Sequence, residues 1–447
     1  MRDTAAAWEG EVSASGRWTR EKGKRYTTDM SWNWKQITPF SQTRQPRVEF
    51  GEAAFGRLPE LLREMGFGRV LVITGGSSFR ESRHWSNLEA RLAEREIEMK
   101  DHRASGEPSP QSVDSIVEDL AGFEPDAVVA VGGGSVLDTG KAVAAAYLHE
   151  GSIKEYLEGV GSKTPSGRRL PFIAVPTTAG TGSEATKNAV LSEVGADGYK
   201  KSLRHDNFVA DVAILDPALQ TSCPVSVSGP SGLDAITQLL EAYVSVTANP
   251  ITDAMAESGL EAAGQSFRRV INDGNDTVAR AGMAYAAYCS GVCLANAGLG
   301  VVHGMASNAG SAVSIPHGVF CGTMLAGSVR QAIEHLGEGT GVRETPATDE
   351  PADARHIALE RYARAAELLA DEPPDDLAAL SDAELEDKAQ ELIETLDEFT
   401  ELAQVPRLGE YGFDRNLIQT VAERSGVKNH PVELTSNELF TLLESRL

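Results

Sequence analysis

A short apolar run followed by three glycines constrains the fold of this chain more than any other stretch. Residues 127–131 read Ala-Val-Val-Ala-Val, which predicts a strand buried on both faces of a parallel sheet. Residues 132–134 are glycines, and a helix is predicted after Ser135. Glycines at such a junction let a ligand approach the backbone and the free N–H groups of the helix, which suits a pyrophosphate. An ordinary tight turn is the alternative, because a glycine motif alone is weak.

A second apolar run also ends in a glycine-containing loop. Residues 170–175 predict a buried strand, and residues 176–184 read Pro-Thr-Thr-Ala-Gly-Thr-Gly-Ser-Glu. The hydroxyl groups in this loop can donate hydrogen bonds to phosphate oxygens or to an amide. Because the carboxyl ends of parallel strands meet at one edge of a sheet, we expect both loops to lie at that edge.

The order of predicted elements divides the chain into three parts. Residues 46–220 alternate strands and helices, which predicts a doubly wound, mostly parallel α/β sheet that binds a dinucleotide. Residues 221–447 show long helical periodicities and predict an all-α domain. The predicted helices there cover residues 234–246, 253–270, 278–297, 354–369 and 382–402. Residues 1–45 lack periodicity and are interpreted as a disordered extension, in which Met30 is an alternative start.

The charge of the chain argues against one class of partner. Asp and Glu number 65 against 41 Lys and Arg, and the net charge of −24 would repel nucleic-acid phosphates. Arginine supplies most of the basic residues, and an acidic, lysine-poor surface suggests adaptation to high salt. No run approaches the ~20 apolar residues of a membrane span, and the N-terminus has no apolar signal core. We therefore expect a halophilic, cytoplasmic protein that binds neither nucleic acid nor a membrane.

Polar residues in the predicted helical domain suggest a metal site. Asp234, Gln238 and Glu241 share one helix face among apolar residues. His303 and His317 lie further along the chain in largely apolar surroundings. An acidic residue and two histidines suit a divalent metal with an open coordination position, whereas each histidine alone also fits a hydrogen-bonded core residue.

The cysteines give no sign of a disulfide framework. Cys223, Cys289, Cys293 and Cys321 lack a Cys-x-x-Cys spacing. Cys289 and Cys293 are four positions apart and share a predicted helix face. We interpret the cysteines as small core residues in a reducing compartment.

Five spaced motifs resemble the signatures of the iron-containing (group III) alcohol dehydrogenase family, within the dehydroquinate synthase-like superfamily. They occur in the family's order at residues 132–141, 176–184, 232–235, 300–306 and 316–318, and residues 428–434 resemble its C-terminal segment. The resemblance implies an N-terminal dinucleotide-binding domain and a C-terminal helical domain that holds Fe²⁺ or Zn²⁺. It also implies an active site in the cleft between them and assembly into a homo-oligomer.

The resemblance further implies which residues bind NAD or NADP. One loop would contribute Gly133, Gly134, Ser135 and Asp138, and the second Thr177, Thr178 and Thr181. Lys201 would reach a phosphate. Gly75 stands after the strand-ending Thr74, where NAD-preferring relatives often have an acidic residue. A 2′-phosphate is then not repelled, which favours NADP(H), and Ser77, Ser78 or Arg80 could bind it.

The metal ligands implied by the resemblance include two departures from the family. The usual set is one Asp and three His, which places Asp234, His303 and His317 on the metal, but the position four after Asp234 is Gln238. A carboxamide is a poor ligand for iron or zinc, so Gln238 binds weakly, binds through water or does not bind. A further family histidine is replaced by Ser307. The resembling glycerol dehydrogenases use one Asp and two His, so a three-ligand site is expected.

The implied reaction is reversible hydride transfer between a small alcohol, or its aldehyde or ketone, and NAD(P). The metal would act as a Lewis acid on the alcohol oxygen, with Asp234, His303 and His317 around it. The proton relay would run through Ser307, water or a ribose hydroxyl. A metal-independent oxo-acid reductase, like the maleylacetate reductases, stays open because of Gln238. A non-catalytic dinucleotide-binding protein is the third possibility.

Overall fold

The computed structural model describes residues 39–193, 198–345, 351–371 and 375–447, and they belong to one compact unit. Its strands are β1 (Arg47–Phe50), β2 (Arg69–Thr74), β3 (Glu98–Arg103), β4 (Ala127–Gly132), β5 (Phe172–Pro176), β6 (Asn188–Glu193), β7 (Tyr199–Arg204) and β8 (Val212–Leu215). Its helices are α1 (Leu58–Glu64), α2 (Arg83–Glu94), α3 (Pro110–Asp119), α4 (Gly134–Ala146), α5 (Val225–Tyr243), α6 (Pro250–Asn272), α7 (Thr277–Ala297), α8 (Val301–Ala312), α9 (His317–Glu338), α10 (Pro351–Ala370), α11 (Asp382–Leu402), α12 (Arg415–Arg424) and α13 (Ser436–Glu444).

A six-stranded parallel sheet organises the first half of the described chain. Its strand order is β1-β8-β5-β4-β2-β3, and β6 pairs with β7 in a separate antiparallel hairpin. Strands β4, β5 and β8 are buried along their whole length, as expected for apolar runs in the middle of a parallel sheet.

Alternate residues of β2 face opposite sides of the sheet. Val70 and Val72 belong to the core formed with α1 and α2, whereas Leu71 and Ile73 belong to the core formed with α3 and α4. Helices therefore cover both faces, because each face of the strand is apolar. The predicted doubly wound α/β sheet followed by a helical region is confirmed.

The helical half packs around one apolar core to which α5 to α13 contribute. Four of the five predicted helices fall within α6, α7, α10 and α11. The fifth is displaced, because α5 begins at Val225 and ends at Tyr243. Pro230 lies inside α5, where its missing N–H would predict a helix end, and it is buried. Tertiary packing outweighs the local preference at this position.

Helices α8 and α9 were not predicted from the sequence. Each starts directly after a residue of low helix propensity, Gly300 for α8 and Pro316 for α9. An added Cβ at Gly304 would lie 2.0 Å from the Gly426 carbonyl oxygen. Glycine therefore serves close backbone packing within α8, and this packing compensates for its poor helix propensity.

The sheet and the helices meet at two glycines. Gly182 has a φ of +59°, and an added Cβ there would lie 2.5 Å from the Cα of Gly291 on α7. Any side chain at either position would separate the two backbones. The loop after β5 thus rests directly on α7.

The predicted extension of residues 1–45 lies mostly outside the described residues. Near its end, the Thr43 N–H donates to Asn296 Oδ1 at 2.7 Å, and the Tyr288 hydroxyl donates to Gln45 Oε1 at 3.2 Å. Both partners belong to α7.

The predicted division at residues 220 and 221 falls between the end of β8 and the start of α5, and it stays a prediction.

Within the described ranges, no single helix has the length and apolar character needed to cross a membrane. The bent pair of α7 and α8 meets that criterion jointly, by length and composition only.

Candidate metal and cofactor site

The glycine loop predicted to bind phosphate connects β4 to α4. Gly133 is extended and directly precedes the first helical residue, Gly134. No side chain in the described part of the protein caps this end of α4, so its first N–H groups are available to an anion. Gly133, Gly134 and Ser135 are only partly buried. This geometry fits a phosphate-binding role.

The two predicted loops lie against each other. An added Cβ at Gly133 would be 3.2 Å from Thr178 Oγ1, and one at Gly134 would be 2.7 Å from Thr181 Oγ1. The Thr177 N–H donates to the last carbonyl oxygen of β4 at 2.9 Å. The structure therefore brings the two glycines and the three threonines together at one edge of the sheet, as their strand ends predict.

Gly75 lies at the same edge. An added Cβ at Gly75 would be 3.4 Å from Val136 Cγ2 in the first turn of α4. Gly76, Ser77 and Ser78 follow it and are exposed. The end of β2 is thus open beside the glycine loop.

Arg80, a candidate for binding a 2′-phosphate, is held near this end of β2. Its Nε donates to Thr74 Oγ1 at 2.6 Å, and its guanidinium pairs with Asp101 at 2.5 Å. The guanidinium also stacks over the Trp85 ring at 4.7 Å. A phosphate there would compete with Asp101 for the same cation.

Asp138 and Lys141 of α4 face the second loop. One Asp138 carboxylate oxygen accepts from the Ser183 hydroxyl, and the other accepts from the Val190 N–H at 2.9 Å. Lys141 is fully buried and donates to the carbonyl oxygens of Ser183 at 2.8 Å and Asn188 at 2.7 Å. Both side chains therefore fix the second loop to α4. Contact of Asp138 with a cofactor stays a prediction.

Burial shifts the pKa values of three ionisable side chains that lie beneath the two loops. It raises the pKa of Glu184 to about 7 and lowers the pKa of Lys141 to about 8. It also raises the pKa of Asp138, although Lys141 and the Ser183 hydroxyl oppose the change. Desolvation disfavours every charged form, so this network carries less charge than its side chains suggest.

Lys201 and its neighbour Lys200 point in different directions from β7. Lys201 is exposed, whereas the side chain of Lys200 is 10% exposed and pairs with Glu107. An added Cβ at Gly310 of α8 would lie 3.7 Å from Lys200 Nζ. Lys200 therefore faces inward between the hairpin and α8. The family resemblance selected Lys201, and its contact with a phosphate stays a prediction. Successive residues of a strand face opposite sides, so only one of the two lysines can face inward.

Four side chains of the helical half converge on one point. Asp234 of α5, His303 of α8, and His317 and Cys321 of α9 each present one donor atom, and these atoms lie within 4.8 Å of one another. Asp234 Oδ1 is 3.5 Å from His303 Nε2 and 3.6 Å from His317 Nε2. The structure thus brings together the three residues predicted as metal ligands and adds Cys321 to them.

One donor atom of this cluster, Asp234 Oδ1, is buried without a hydrogen bond to the described part of the chain. Asp234 is 1% exposed, and its Oδ1 has no hydrogen-bond partner in the described part of the chain. An unpaired buried carboxylate oxygen is costly, so such atoms normally accept hydrogen bonds or bind a cation. A divalent cation between Oδ1 and the two imidazole nitrogens would satisfy it. The donor set of carboxylate and imidazole fits Fe²⁺ or Zn²⁺.

The electrostatics of the cluster also favour a cation. Burial raises the pKa of Asp234, but His317 and His303 outweigh it and lower the pKa to about 2. Burial likewise opposes ionisation of Glu241, but His303 keeps its pKa below the usual range. Burial lowers the pKa of His317 to about 4. For His303, burial opposes protonation, but Cys321 and Glu241 raise the pKa well above its usual value. A bound cation would balance the negative charge of the two buried carboxylates, Asp234 and Glu241.

Glu241 orients His303 from behind. Its Oε2 lies 2.6 Å from His303 Nδ1, and its Oε1 accepts from the Val302 N–H at 2.7 Å. Because Nδ1 is bonded to a carboxylate, Nε2 is the ring nitrogen presented to the cluster, as in metal-ligating histidines generally. The sequence predicted that Glu241 shares a helix face with Asp234. The structure shows that from this face Glu241 bonds the Nδ1 atom of His303.

Gln238 is turned away from the converging donor atoms. Its Nε2 donates to Asp234 Oδ2 at 3.2 Å, and its Oε1 accepts from Ser290 Oγ at 3.0 Å. Both ends of the carboxamide are therefore engaged with protein groups. Of the three outcomes left open for Gln238, this geometry favours the one in which it does not bind the metal.

Ser307 lies on α8 one turn after His303 and is exposed. Residues four apart on a helix share a face, so Ser307 is on the His303 side of α8.

Cys321 was interpreted as a core residue, and the structure shows more than that. It is fully buried, but its Sγ lies 3.6 Å from His303 Nε2 and 3.7 Å from His317 Nε2. The sequence signal that would have found it is the spacing of four from His317. That signal requires a helix, and α9 was not predicted.

A doubly wound sheet with glycine-containing loops at its carboxyl edge is suited to binding a dinucleotide, and the buried cluster in the helical half is suited to binding a metal ion. Comparison with known proteins agrees. The family model described as "Iron-containing alcohol dehydrogenase" matches residues 45–217, and "Fe-containing alcohol dehydrogenase family, C-terminal" matches residues 229–447. The chain belongs to the iron-containing alcohol dehydrogenase family.

Individual relatives cover different shares of the chain. The long-chain-alcohol dehydrogenase 1 of Geobacillus thermodenitrificans is 42% identical over 193 residues, which are 43% of this chain and 48% of that protein. The NAD-dependent methanol dehydrogenase of Bacillus methanolicus is 32% identical over 332 residues, 71% of this chain and 84% of that protein. The chain spans about half the length of several curated relatives it matches, the Geobacillus protein among them.

A solved structure resembles nearly the whole chain. The iron-containing alcohol dehydrogenase from Thermococcus thioreducens has a TM-score of 0.75 at 28% identity, with 91% of this chain and 99% of that chain covered. The likeness therefore extends over both the sheet and the helical half.

Proposed function

We propose that this chain is a metal-dependent oxidoreductase that transfers a hydride between a small alcohol, or its aldehyde or ketone, and NAD(P). The observation that carries the proposal is Asp234 Oδ1, a buried carboxylate oxygen without a hydrogen-bond partner in the described chain, 3.5 and 3.6 Å from two imidazole nitrogens. Membership of the iron-containing alcohol dehydrogenase family supports the reaction class.

Asp234, His303 and His317 would hold the metal. A bound Fe²⁺ or Zn²⁺ would supply Lewis acidity that stabilises negative charge on the substrate oxygen. Glu241 keeps His303 in the required tautomer, and Gln238 fixes the second oxygen of Asp234. These two residues position the ligands and do not bind the metal themselves.

The cofactor would lie along the open edge of the sheet. The N–H groups at the start of α4 and the hydroxyl groups of Thr177, Thr178 and Thr181 would hold the phosphates and the amide. Lys200, the inward-facing lysine of β7, would take the role first assigned to Lys201. Asp138 would act through the second loop that it fixes.

The exposed Ser307 would exchange the substrate proton with solvent, directly or through water. Its place one turn after His303, on the same side of α8, supports this role. The Ser307 hydroxyl oxygen would accept the substrate proton while its own O–H proton passes to bulk water.

NADP(H) would be preferred over NAD(H). Gly75 carries no carboxylate to bind the ribose hydroxyls or repel a 2′-phosphate, and Arg80 supplies a cation nearby. Steady-state kinetics with both reduced cofactors tests this, and a lower KM for NADH than for NADPH would overturn it.

The deciding experiment measures bound metal and NAD(P)H oxidation with short aldehydes on the same preparation. We expect about one bound metal ion per chain, because Asp234, His303 and His317 would form a single site. We also expect activity that a chelator removes and Fe²⁺ or Zn²⁺ restores. Asp234→Ala and His303→Ala should lose both metal and activity. Equal activity in the stripped and loaded protein would contradict metal dependence.

A metal-independent oxo-acid reductase is the second candidate, and the position of Gln238 is the observation that favours it. A family metal ligand is replaced here by a carboxamide that bonds Asp234 and Ser290. Chelator-resistant reduction of an oxo-acid would establish this candidate. Binding of NADPH without turnover of any aldehyde or oxo-acid would instead indicate a non-catalytic binding protein.

A cytoplasmic, salt-adapted homo-oligomer would complete the proposal. The net charge of −24 and the scarcity of lysine support salt adaptation, because counter-ions screen self-repulsion. The four cysteines are free thiols, as in a reducing compartment. Thermal unfolding at low and high KCl tests the first point, and equal stability in dilute buffer would overturn it.

A further inference from the structure

Cys321 is the one member of the converging cluster that the family resemblance does not account for. We propose that its thiolate is the fourth protein ligand of the metal, in place of the histidine that the family has at the position of Gln238. The proposal rests on the metal-dependent function above. It assigns to this chain four protein ligands, namely one carboxylate, two imidazoles and one thiolate, and the substrate oxygen of the proposed reaction would be the fifth ligand.

Four of the distances between donor atoms match those expected between ligands about 110° apart around one metal ion. Bonds of about 2.0–2.1 Å to nitrogen or oxygen and about 2.3 Å to sulfur place neighbouring donors about 3.3–3.6 Å apart. Cys321 Sγ lies 3.6 Å from His303 Nε2 and 3.7 Å from His317 Nε2. Asp234 Oδ1 lies 3.5 and 3.6 Å from the same two nitrogens. The thiol sulfur thus lies at nearly the same distances from the two imidazole nitrogens as the carboxylate oxygen does.

Helix α9 holds two of these donors on one face. His317 is its first residue and Cys321 follows four positions later, so both side chains project toward the same side. Cys321 is fully buried, and Gly322 beside it packs close to Leu233 of α5. The sulfur is therefore fixed by the packing of α9 on α5.

Gln238 does not compete for the fourth position. Its Nε2 and Oε1 are bonded to Asp234 Oδ2 and Ser290 Oγ, at 3.2 and 3.0 Å. This arrangement leaves Asp234 Oδ1 directed at the imidazoles. Replacement of the family histidine by Gln238 converts a ligand into a positioning residue, and Cys321 supplies the missing donor.

A thiolate changes which metals the site selects. Sulfur ligands favour Zn²⁺ and other borderline or soft ions over Mg²⁺ or Mn²⁺. As the sulfur–metal bond forms, the thiol proton leaves to solvent. Zn²⁺ is therefore expected to outcompete Fe²⁺ here more strongly than at a site of one Asp and three His.

Cobalt substitution tests the sulfur bond directly, without reference to activity. We expect the full-length protein loaded with Co²⁺ to show a near-ultraviolet sulfur-to-cobalt charge-transfer band. The band should disappear in Cys321→Ser and persist in Cys289→Ser, a buried cysteine of α7 outside the cluster. Zn²⁺ affinity of Cys321→Ser should fall by more than the roughly 10- to 100-fold that loss of an outer-shell partner costs.

A rescue variant separates ligand loss from misfolding. In Gln238→His with Cys321→Ser, an imidazole at position 238 should restore Zn²⁺ binding, and the Co²⁺ form should lack the charge-transfer band. In Gln238→Ala the band should remain, because Gln238 only positions Asp234. Thermal unfolding of each apo variant shows that the chain is folded.

The outcomes distinguish this inference from the function on which it rests. A wild-type protein that binds Co²⁺ without the band, or a Cys321→Ser variant that binds Zn²⁺ normally, overturns the thiolate and leaves the metal-dependent function intact. A wild-type protein that binds no metal yet reduces its substrate overturns both.

Discussion

At the edge of the sheet, the predicted cofactor residues are glycines and small hydroxyl residues held by backbone contacts, whereas the cluster on α5, α8 and α9 consists of ionisable side chains that are mostly buried. At the edge, glycines without side chains allow the two loops to come into contact. In the cluster, ionisable side chains are buried, where the charged forms are destabilised by the loss of water. The edge should therefore be sensitive to added volume, and the cluster to changes of charge and donor atom.

The largest effect is expected at the cluster, from Asp234→Asn. This change keeps the shape of the side chain and removes the negative charge that a cation requires. Metal content should fall to a trace and kcat/KM by about a thousandfold or more, since metal Lewis acidity contributes several kcal/mol. Metal analysis and initial rates measure this.

Asp253→Asn is the matched control. Asp253 is also a buried aspartate, but it lies on α6 and pairs with Arg361 at 2.8 Å, outside the cluster. Its variant should retain metal. Full metal content in Asp234→Asn would show that the cluster does not need the charge.

A smaller effect is expected at the edge, from Gly134→Ala. The new Cβ would lie 2.7 Å from Thr181 Oγ1, so the two loops must move apart. An overpacking cost of about 1–3 kcal/mol predicts roughly a 10- to 100-fold loss of cofactor affinity, with metal content unchanged. Titration of NADPH fluorescence measures it.

Gly68→Ala provides the comparison at the opposite end of β2. Its Cβ would meet only Asp126 Oδ2, at an ordinary 3.8 Å. Cofactor affinity should not change. Equal losses in both variants would mean that Gly134 acts through general stability and not through the loop contact.

Gly75→Asp should give roughly a tenfold change in cofactor preference. A carboxylate at the end of β2 would repel a 2′-phosphate and accept hydrogen bonds from a ribose, which favours NADH over NADPH. Gly75→Asn has nearly the same volume without the charge and should shift the ratio much less. Identical kcat/KM ratios for the two variants would exclude electrostatic selection here.

The smallest effect is expected from Glu184→Gln, which should change how the stability of the protein depends on pH. Burial raises the pKa of Glu184 from 4.5 to about 7, so the folded state holds a proton that the unfolded state has lost. Stability should therefore decline as pH rises from about 4.5 to 7. Glu184→Gln should flatten this decline by on the order of 1 kcal/mol in the free energy of unfolding. Exposed Glu89 on α2 supplies the control, Glu89→Gln, which should keep the wild-type slope in urea unfolding at several pH values.

The contrast between the two regions also explains how far the sequence could predict them. The strand, glycines and helix of residues 127–146 are consecutive, so periodicity and glycine position predicted both the element order and the edge. That the two loops lie at the same edge followed from parallel strand order, whereas the contact of Gly134 with Thr181 appears only in the structure. Local signals sufficed there because the loops are built from adjacent elements.

The cluster depends on packing that no local signal reports. Asp234, His303 and His317 were found by residue type and by family motifs, but α8 and α9 were missed because their glycines oppose helix prediction. Without α9, the spacing of His317 and Cys321 had no geometric meaning. The inward direction of Lys200 was missed for a similar reason, since the register of β7 comes from its pairing with β6.

The hydroxyl of Ser290 joins the two regions. Its Oγ lies 3.0 Å from Gln238 Oε1 and 3.4 Å from the carbonyl oxygen of Gly180 in the second loop. Asp234, Gln238, Ser290 and Gly180 thus form a continuous chain of contacts from the buried cluster to the second glycine-containing loop. If metal binding shifts this chain and so strengthens cofactor binding, thermodynamic reciprocity requires that cofactor strengthen metal binding by the same factor. The mutual strengthening of the two binding events would then depend on one serine hydroxyl.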